Sequence, residues 1–526
     1  MNYLRGGCVR GFFKTVAVVT VFSVSEKFLG FLYRIFMSRT IGTEGIGLYQ
    51  VALSIFSLFY TASCSGTPVT VSRLMTKYRA EGQKSRVDKV ITAGISVSVG
   101  LAAIISVAFL LFRNRLGFLF TDERVMNVFL IVLPGLIFTS VYSVLRGVFW
   151  GNKDFLTYSI IELLEEICMI ITGIVLISFS TDAYQGAERA AVAVLVSYVF
   201  SFSAASAVFF IKKGKLKSPF SEFTPLIRSA APVTAMRTAN SVGVALVSVI
   251  LPLRLVAAGY TSSEAMSFFG AAAGQAIPLL FIPTTLIGSF TLVLIPELSE
   301  NYYGGNQFYL KRDIEKALKI TVTVACFFIP VFFVCGNEIG IIVFDSPECG
   351  KYLTASAYLM LFMSLSNITT SMLNSMGMEN RTLVFFVISA AFMFLSVWFL
   401  PLYIGIYALL VGFSFVYGIT TLLNLILINK SCKQKPRYLS FSVSAVLFTV
   451  PSVLSGYLLK KLIGAALGCF LTLFICGFVC VAFLLGLFLA FGIVDGKKLK
   501  EKCFGAVKSF INKSKSKKGV VARQKA

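Results

Sequence analysis

The sequence predicts an all-α polytopic membrane protein: fourteen transmembrane helices, with two six-helix lobes in parallel repeat plus two C-terminal helices. Three observations predict it. The 526 residues are 57% apolar and only 14% charged, where a soluble chain carries about 25% charged residues. Apolar stretches long enough to cross a bilayer, about 20 residues each, recur along the whole chain. About three quarters of the Lys and Arg residues fall in every second loop and in the two tails, and basic loops of this kind stay on the cytoplasmic side.

The predicted spans are 12–37, 47–67, 90–112, 125–149, 155–179, 190–211, 232–257, 267–295, 317–335, 353–375, 383–400, 404–428, 439–459 and 462–492. The first follows Arg5, Arg10 and Lys14 as a secretory leader would. It is too long for one and ends in no small-residue cleavage site, so it reads as a retained span. The basic connections, 72–89, 212–231, 296–316 and 429–438, face the cytoplasm, and short loops such as 180–189 and 258–266 face outward. An even number of spans puts both termini inside. Residues 1–211 are the N-terminal six-helix lobe, 212–231 a cytoplasmic linker, 232–428 the C-terminal lobe, 439–492 helices 13 and 14, and 493–526 a basic cytoplasmic tail. The net charge of +24 therefore points to anionic membrane lipids and not to nucleic acid.

A repeat underlies the two lobes. Val69–Gln83 (VTVSRLMTKYRAEGQ) and Val293–Gln307 (VLIPELSENYYGGNQ) align at an offset of 224 through Val69/Val293, Leu74/Leu298, Tyr78/Tyr302 and Gln83/Gln307. Parallel duplication is a transporter pattern, with the substrate path between the halves.

Catalysis finds little support. The chain has no histidine, which removes Ser–His and Cys–His hydrolases and His-based metal sites. No Gly-Lys pair is followed by Ser or Thr, so no phosphate-cradling loop is present. The expectation is a carrier without cofactor and not an enzyme, driven by its substrate or by a proton or Na⁺ gradient; the sequence leaves the ion open. The cysteines, mostly inside spans, behave as small apolar residues.

Charges inside spans are expensive and usually face a cavity. Span 1 carries Glu26, Lys27 and Arg34, span 4 Arg146, span 5 Glu162, Glu165 and Glu166, and span 7 Arg237 and Arg254. The three glutamates share one helix face at i, i+3 and i+4 and need either cations or protons; Lys27 is the expected partner. Lys27, Arg34, Arg237 and Arg254 are the substrate-binding candidates for an anionic headgroup. Glu26, Glu162, Glu165 and Glu166 are the charge-balancing or ion-coupling candidates. Pro278, Pro283, Pro296 and Pro330 supply bending points.

The segments EKFLGFLYRIFMSRTIGTEGIGLYQ (26–50), SGTPVTVSRL (65–74), LRGVFWGNKD (145–154), LPLRLVAAGYTSSEAMSFFGAAAGQAIPLLFIPTTL (251–286) and LIPELSE (294–300) resemble the stage V sporulation protein B family. These are polysaccharide-biosynthesis-type flippases of the multidrug/oligosaccharidyl-lipid/polysaccharide superfamily. The resemblance covers most of the first ten spans. It implies two lobes in a V around a central cavity, in a bacterial plasma membrane. It also implies translocation of a lipid-linked oligosaccharide, an undecaprenyl-diphosphate-linked cell-wall or polysaccharide precursor, from the cytoplasmic to the outer leaflet. Cell-wall synthesis proteins would be partners. The related lipid II flippases carry an Arg-Asp pair where this chain has Tyr33-Arg34, and basic residues in span 2 that it lacks. A multidrug or cation antiporter of the same superfamily is the alternative, and a non-transporting scaffold for cell-wall synthesis a third reading.

Overall fold

The computed structural model describes residues 3–115, 117, 120, 122–432, 436, 438–463 and 468–491; the basic tail expected at 493–526 lies outside them. Among the described residues there is no strand. The helices are α1 (Tyr3–Cys64), α2 (Thr67–Ala80), α3 (Lys84–Phe112), α4 (Glu123–Val132), α5 (Gly135–Gly151), α6 (Phe155–Ile177), α7 (Ala183–Ile211), α8 (Phe223–Ala257), α9 (Ser262–Phe269), α10 (Ile277–Tyr303), α11 (Gln307–Phe344), α12 (Pro347–Ser356), α13 (Leu359–Ser375), α14 (Glu379–Phe399), α15 (Pro401–Ile404), α16 (Tyr407–Ser431), α17 (Leu439–Leu447), α18 (Thr449–Ile463) and α19 (Cys469–Ala490).

Within the described residues, the predicted stretches fall largely on helices, but the helices do not divide as expected. Among the described residues, ten are long and apolar enough to cross a membrane, or eleven if the pair α4–α5, bent by 45°, is one span. The physical reasons are local. α1 carries both of the first two stretches, joined through Gly42 at φ 69°, a backbone that glycine adopts without strain. α6 holds three carboxylates in its apolar run. α13 has only 17 residues. The α4–α5 bend falls at Leu133-Pro134, where proline cannot donate into the helix.

A π-helical segment, Gly270–Ala276, joins α9 to α10. The Ile277 N–H donates to the Ala272 carbonyl, one residue further back than in an α-helix. Pro278 follows at once, so the ladder is already irregular where its missing N–H would break it.

The turn after α5 recurs after α13. Lys153 and Gly377 both take the left-handed conformation, at φ 60° and 76°. Asp154 N donates to Phe149 O and Lys153 N to Trp150 O; Met378 N donates to Leu373 O and Gly377 N to Asn374 O. Both are Schellman closures, and every pair is 224 residues apart. A second pair of turns, with left-handed Gly82 and Gly305, has Gln83 N on Tyr78 O and Asn306 N on Asn301 O. Their offset is 223, so the structural register slips by one from the sequence alignment there.

The chain forms two compact units. Of the described residues, the first takes those within 3–279, 343–352 and 390–415, the second those within 280–342, 353–389 and 416–491. In the first, α2 buries Val71, Leu74, Met75 and Tyr78 against Val90, Val144, Leu145 and Phe149. An ion network ties α1, α4 and α9 together at one end: Arg124 pairs with Glu44 at 2.8 Å and Asp122 at 2.7 Å, and Ser262 donates to Asp122. In the second unit, Leu294, Leu298, Ile314, Leu318, Met372 and Ile428 share one core. α18 is fixed to α11 by Lys460, whose ammonium meets Glu338 at 2.8 Å and the Val334 carbonyl at 2.7 Å. The cysteines described are free thiols. Long apolar side chains such as Phe28, Leu111, Phe179 and Phe478 are exposed. A lipid solvent accepts them without cost, since its tails are as apolar as they are.

Candidate functional site

The charged cluster of the first unit is built on α6. Its i, i+3, i+4 spacing sends Glu162, Glu165 and Glu166 to one face, against α1, α5 and α7. α5 supplies Arg146. Its Nη1 lies 3.6 Å from Glu162 Oε1, and both side chains are 20% exposed. Nη2 donates to the Tyr60 hydroxyl at 3.4 Å, and the guanidinium sits 5.3 Å over the Trp150 ring. Glu26 of α1 lies within electrostatic reach of both Glu162 and Arg146. Glu165 lies beside Ser201 of α7. The Glu166 carboxylate closes over Gly30 of α1, where a Cβ would come within 2.8 Å of Oε1. Two buried hydroxyls beside these acids, Tyr33 and Tyr142, have no hydrogen-bond partner among the described residues.

Arg146 is the partner that sequence reasoning missed, since Lys27 was the expected one. Lys27 is exposed. A signal was available. α5 and α6 form an antiparallel hairpin through Asn152–Asp154, and Arg146 and Glu162 stand at equal distances either side of Asp154. Residues so placed reach the same depth.

The structure does not gather the other expected cations into that cluster. Arg34 donates to the Gly274 carbonyl at 2.8 Å, inside the π segment, and Gln275 donates beside it to Ser38. Arg237 is exposed on α8 and donates to the Ser65 carbonyl at 2.8 Å, at the junction of α1 and α2. Arg254 donates to the Trp398 carbonyl at 2.7 Å and stacks over that ring at 5.0 Å. Each of these three arginines satisfies a backbone acceptor at a helix irregularity or helix end. No group of three or more acidic or cysteine residues fit to hold a metal ion occurs among the described residues.

Four acids beside one arginine, set in long and mostly apolar helices, give a multi-pass membrane protein with an ionic centre in its first unit. Residues 12–302 match the polysaccharide biosynthesis protein family model; the chain belongs to that family, and with it to the multidrug/oligosaccharidyl-lipid/polysaccharide superfamily. It is 22% identical to stage V sporulation protein B of Bacillus subtilis (strain 168) over 467 residues, 85% of this chain and 90% of that one. It is 24% identical to the lipid II flippase MurJ of the same organism over 335 residues, 57% of this chain and 60% of that one. Among solved structures, the inward closed conformation of lipid II flippase MurJ superposes with a TM-score of 0.67 at 15% identity, covering 91% of this chain and all of that one. An inward-facing multidrug resistance transporter of the same superfamily gives 0.62 at 15% identity, over 78% and 96%. At that identity the likeness is one of fold.

Proposed function

We propose that this protein is a flippase that carries an undecaprenyl-diphosphate-linked cell-wall or polysaccharide precursor from the cytoplasmic to the outer leaflet by alternating access. The observation that carries the reading is the family match over residues 12–302. The physical problem fits it. A glycan diphosphate in hydrocarbon would lose water from every hydroxyl and phosphate without replacement partners. A duplicated bundle offers a polar path that opens to each side in turn while the lipid tail stays in the bilayer. The turns recurring at an offset of 224 support the duplication. On this reading the chain crosses fourteen times in two lobes, 1–211 and 232–428, with helices 13 and 14 beside them. Lys27, Arg34, Arg237 and Arg254 contribute positive field toward the headgroup. Glu26, Glu162, Glu165 and Glu166 balance charge or couple transport to H⁺ or Na⁺. The protein acts as a carrier and not an enzyme, in a bacterial plasma membrane with cell-wall synthesis proteins as neighbours.

The test is purified protein in liposomes with fluorescent undecaprenyl-diphosphate-linked disaccharide and an outside-only quencher. Protein-containing vesicles are expected to expose more precursor than empty ones. Equal exposure, across several glycans and with proton or Na⁺ gradients of either sign, overturns the reading. The four-acid cluster then favours cation antiport, the second reading.

Orientation has its own test. The clustering of basic residues predicts both termini inside. Single cysteines at Thr181 and Lys215, in a background without other accessible thiols, are expected to label from opposite sides of the membrane. Labelling from one side refutes the topology.

A further inference from the structure

α2 has two faces of opposite character. Val71, Leu74, Met75 and Tyr78 are buried in the core of the first unit. The opposite face, Val69, Ser72, Arg73, Thr76, Lys77 and Ala80, lines an open recess of about 520 Å³ whose other wall is Trp150. That volume lies within the ordinary range of small-ligand sites. Nothing in the flippase reading above uses this recess.

The recess is built by close helix packing. A Cβ at Gly147 would strike the Pro68 carbonyl, and one at Gly151 would lie 3.3 Å from the Ser72 backbone. This small-xxx-small spacing lets α5 approach the α2 backbone and brings Trp150 alongside Arg73 and Lys77. Arg79 secures the junction by donating to the Gly151 carbonyl and to Asn152 Oδ1. Arg73 is exposed and bonded to the Ser229 hydroxyl of α8. Lys77 is exposed, 3.8 Å from a less solvated but still exposed Glu81, a pair of little strength. Both cations are therefore available to a ligand. The Thr76 hydroxyl donates to Ser72 O, leaving its lone pairs open as acceptors for a hydroxyl donor.

The basic character belongs to this copy of the repeat alone. At the sequence offset of 224, Arg73 corresponds to Glu297 and Lys77 to Asn301; in the structural register of 223 set by the turns they correspond to Pro296 and Glu300. Neither register places a cation in the second copy.

We propose that this recess is a loading site for the diphosphate headgroup of the lipid-linked substrate, distinct from the Arg146 cluster. Arg73 and Lys77, one helical turn apart on α2, hold the two phosphates by charge-assisted hydrogen bonds. Trp150 offers its ring to the first sugar, and Ser72 and Thr76 accept from its hydroxyls. Trp150 also connects the site to the ionic centre, since its ring lies under Arg146 and edge-on to Tyr158. A sugar seated on Trp150 is thus one residue from the Arg146–Glu162 pair. The proposal rests on the flippase reading for its substrate and on the basic connections being cytoplasmic for its side.

The experiment measures binding by the full-length protein in nanodiscs to a photo-crosslinkable undecaprenyl diphosphate. A matched phosphatidylglycerol probe and free pyrophosphate competition run in parallel. The variants are Arg73→Gln with Lys77→Gln, Trp150→Ala, Arg73→Lys as the conservative rescue, and Arg381→Gln as a remote control. Expected results are about a tenfold loss of undecaprenyl diphosphate labelling in the double variant, unchanged phosphatidylglycerol labelling, competition by pyrophosphate, and near wild-type labelling in Arg73→Lys and Arg381→Gln. Wild-type protein that fails to take the undecaprenyl probe above the phosphatidylglycerol level counts against the flippase reading itself. Wild-type capture that the double variant retains in full overturns this site alone, as does equal loss for both probes, which marks the patch as a general contact with anionic lipid. Proteolytic resistance of each variant, compared with wild type, separates lost binding from lost folding.

Discussion

Gly270→Val and Gly47→Val each remove folded protein from the membrane. The two glycines face one another where the second half of α1 meets the end of α9 and the π segment. A Cβ at Gly270 would fall on the Thr43 carbonyl oxygen, and one at Gly47 on the Met266 carbonyl oxygen. Both obstacles are backbone, so no side chain can swing aside. Overpacking in a site that can adjust costs about 1–3 kcal/mol; here two helices must separate, and the loss is expected at or above the top of that range. The separation also strains the Thr43–Ser267 hydroxyl bond and the Arg34–Gly274 bond close by. Fluorescence-detected size exclusion of detergent extracts checks it, with Gly100→Ala as control because a Cβ there meets nothing within 4 Å. A Gly270→Val protein with a wild-type peak and melting temperature contradicts the packing described for α1.

The contrast between these glycines and the rest of the chain marks what the sequence could and could not reveal. The all-helical membrane architecture was legible, because hydropathy over about 20 residues reports directly on a lipid solvent; the count of fourteen spans was not matched, with ten or eleven qualifying among the described residues. The family resemblance was legible in local segments such as LRGVFWGNKD. Helix boundaries in the first stretch were not. Arg39, Thr43 and Glu44 resemble a polar loop, yet the helix resumes after Gly42, because Arg39 donates to Val343 O and Glu44 pairs with Arg124. Those partners are distant in sequence, and no periodicity encodes them. The same limit governed the site. Charge inside spans was visible residue by residue, but its pairing depends on which helices touch. Arg34, Arg237 and Arg254 look alike in sequence as intramembrane cations; in the fold each answers a backbone carbonyl. Among the described residues, only the Arg146–Glu162 pair joins two intramembrane charges of opposite sign at the α6 face.

That pair gives the sharpest separation of structure from function. In Arg146→Ala, Glu162 keeps its place beside Glu26 and Glu165 with its nearest cation gone, in surroundings that solvate a carboxylate poorly. Breaking a buried pair by removing one partner costs about 3–5 kcal/mol. With both side chains one fifth exposed, the lower end, roughly 3 kcal/mol, is expected. The variant should melt well below wild type in detergent and fail to move precursor in liposomes. Arg146→Met combined with Glu162→Leu removes both charges with apolar side chains of comparable length. Its stability should return to near the wild-type value, since such replacements are often neutral or better. Its transport should not return, because the ionic centre that distinguishes this bundle from a passive helical core is then reduced to Glu26, Glu165 and Glu166 without their arginine. Thermal unfolding and the liposome assay on the same preparations read the two quantities independently. A double variant that is both stable and fully active would make the pair a packing device and move the search for coupling to the other carboxylates. A stable Arg146→Ala would mean that Glu162 is already neutral in the resting protein, so that protons and not the arginine balance the α6 face.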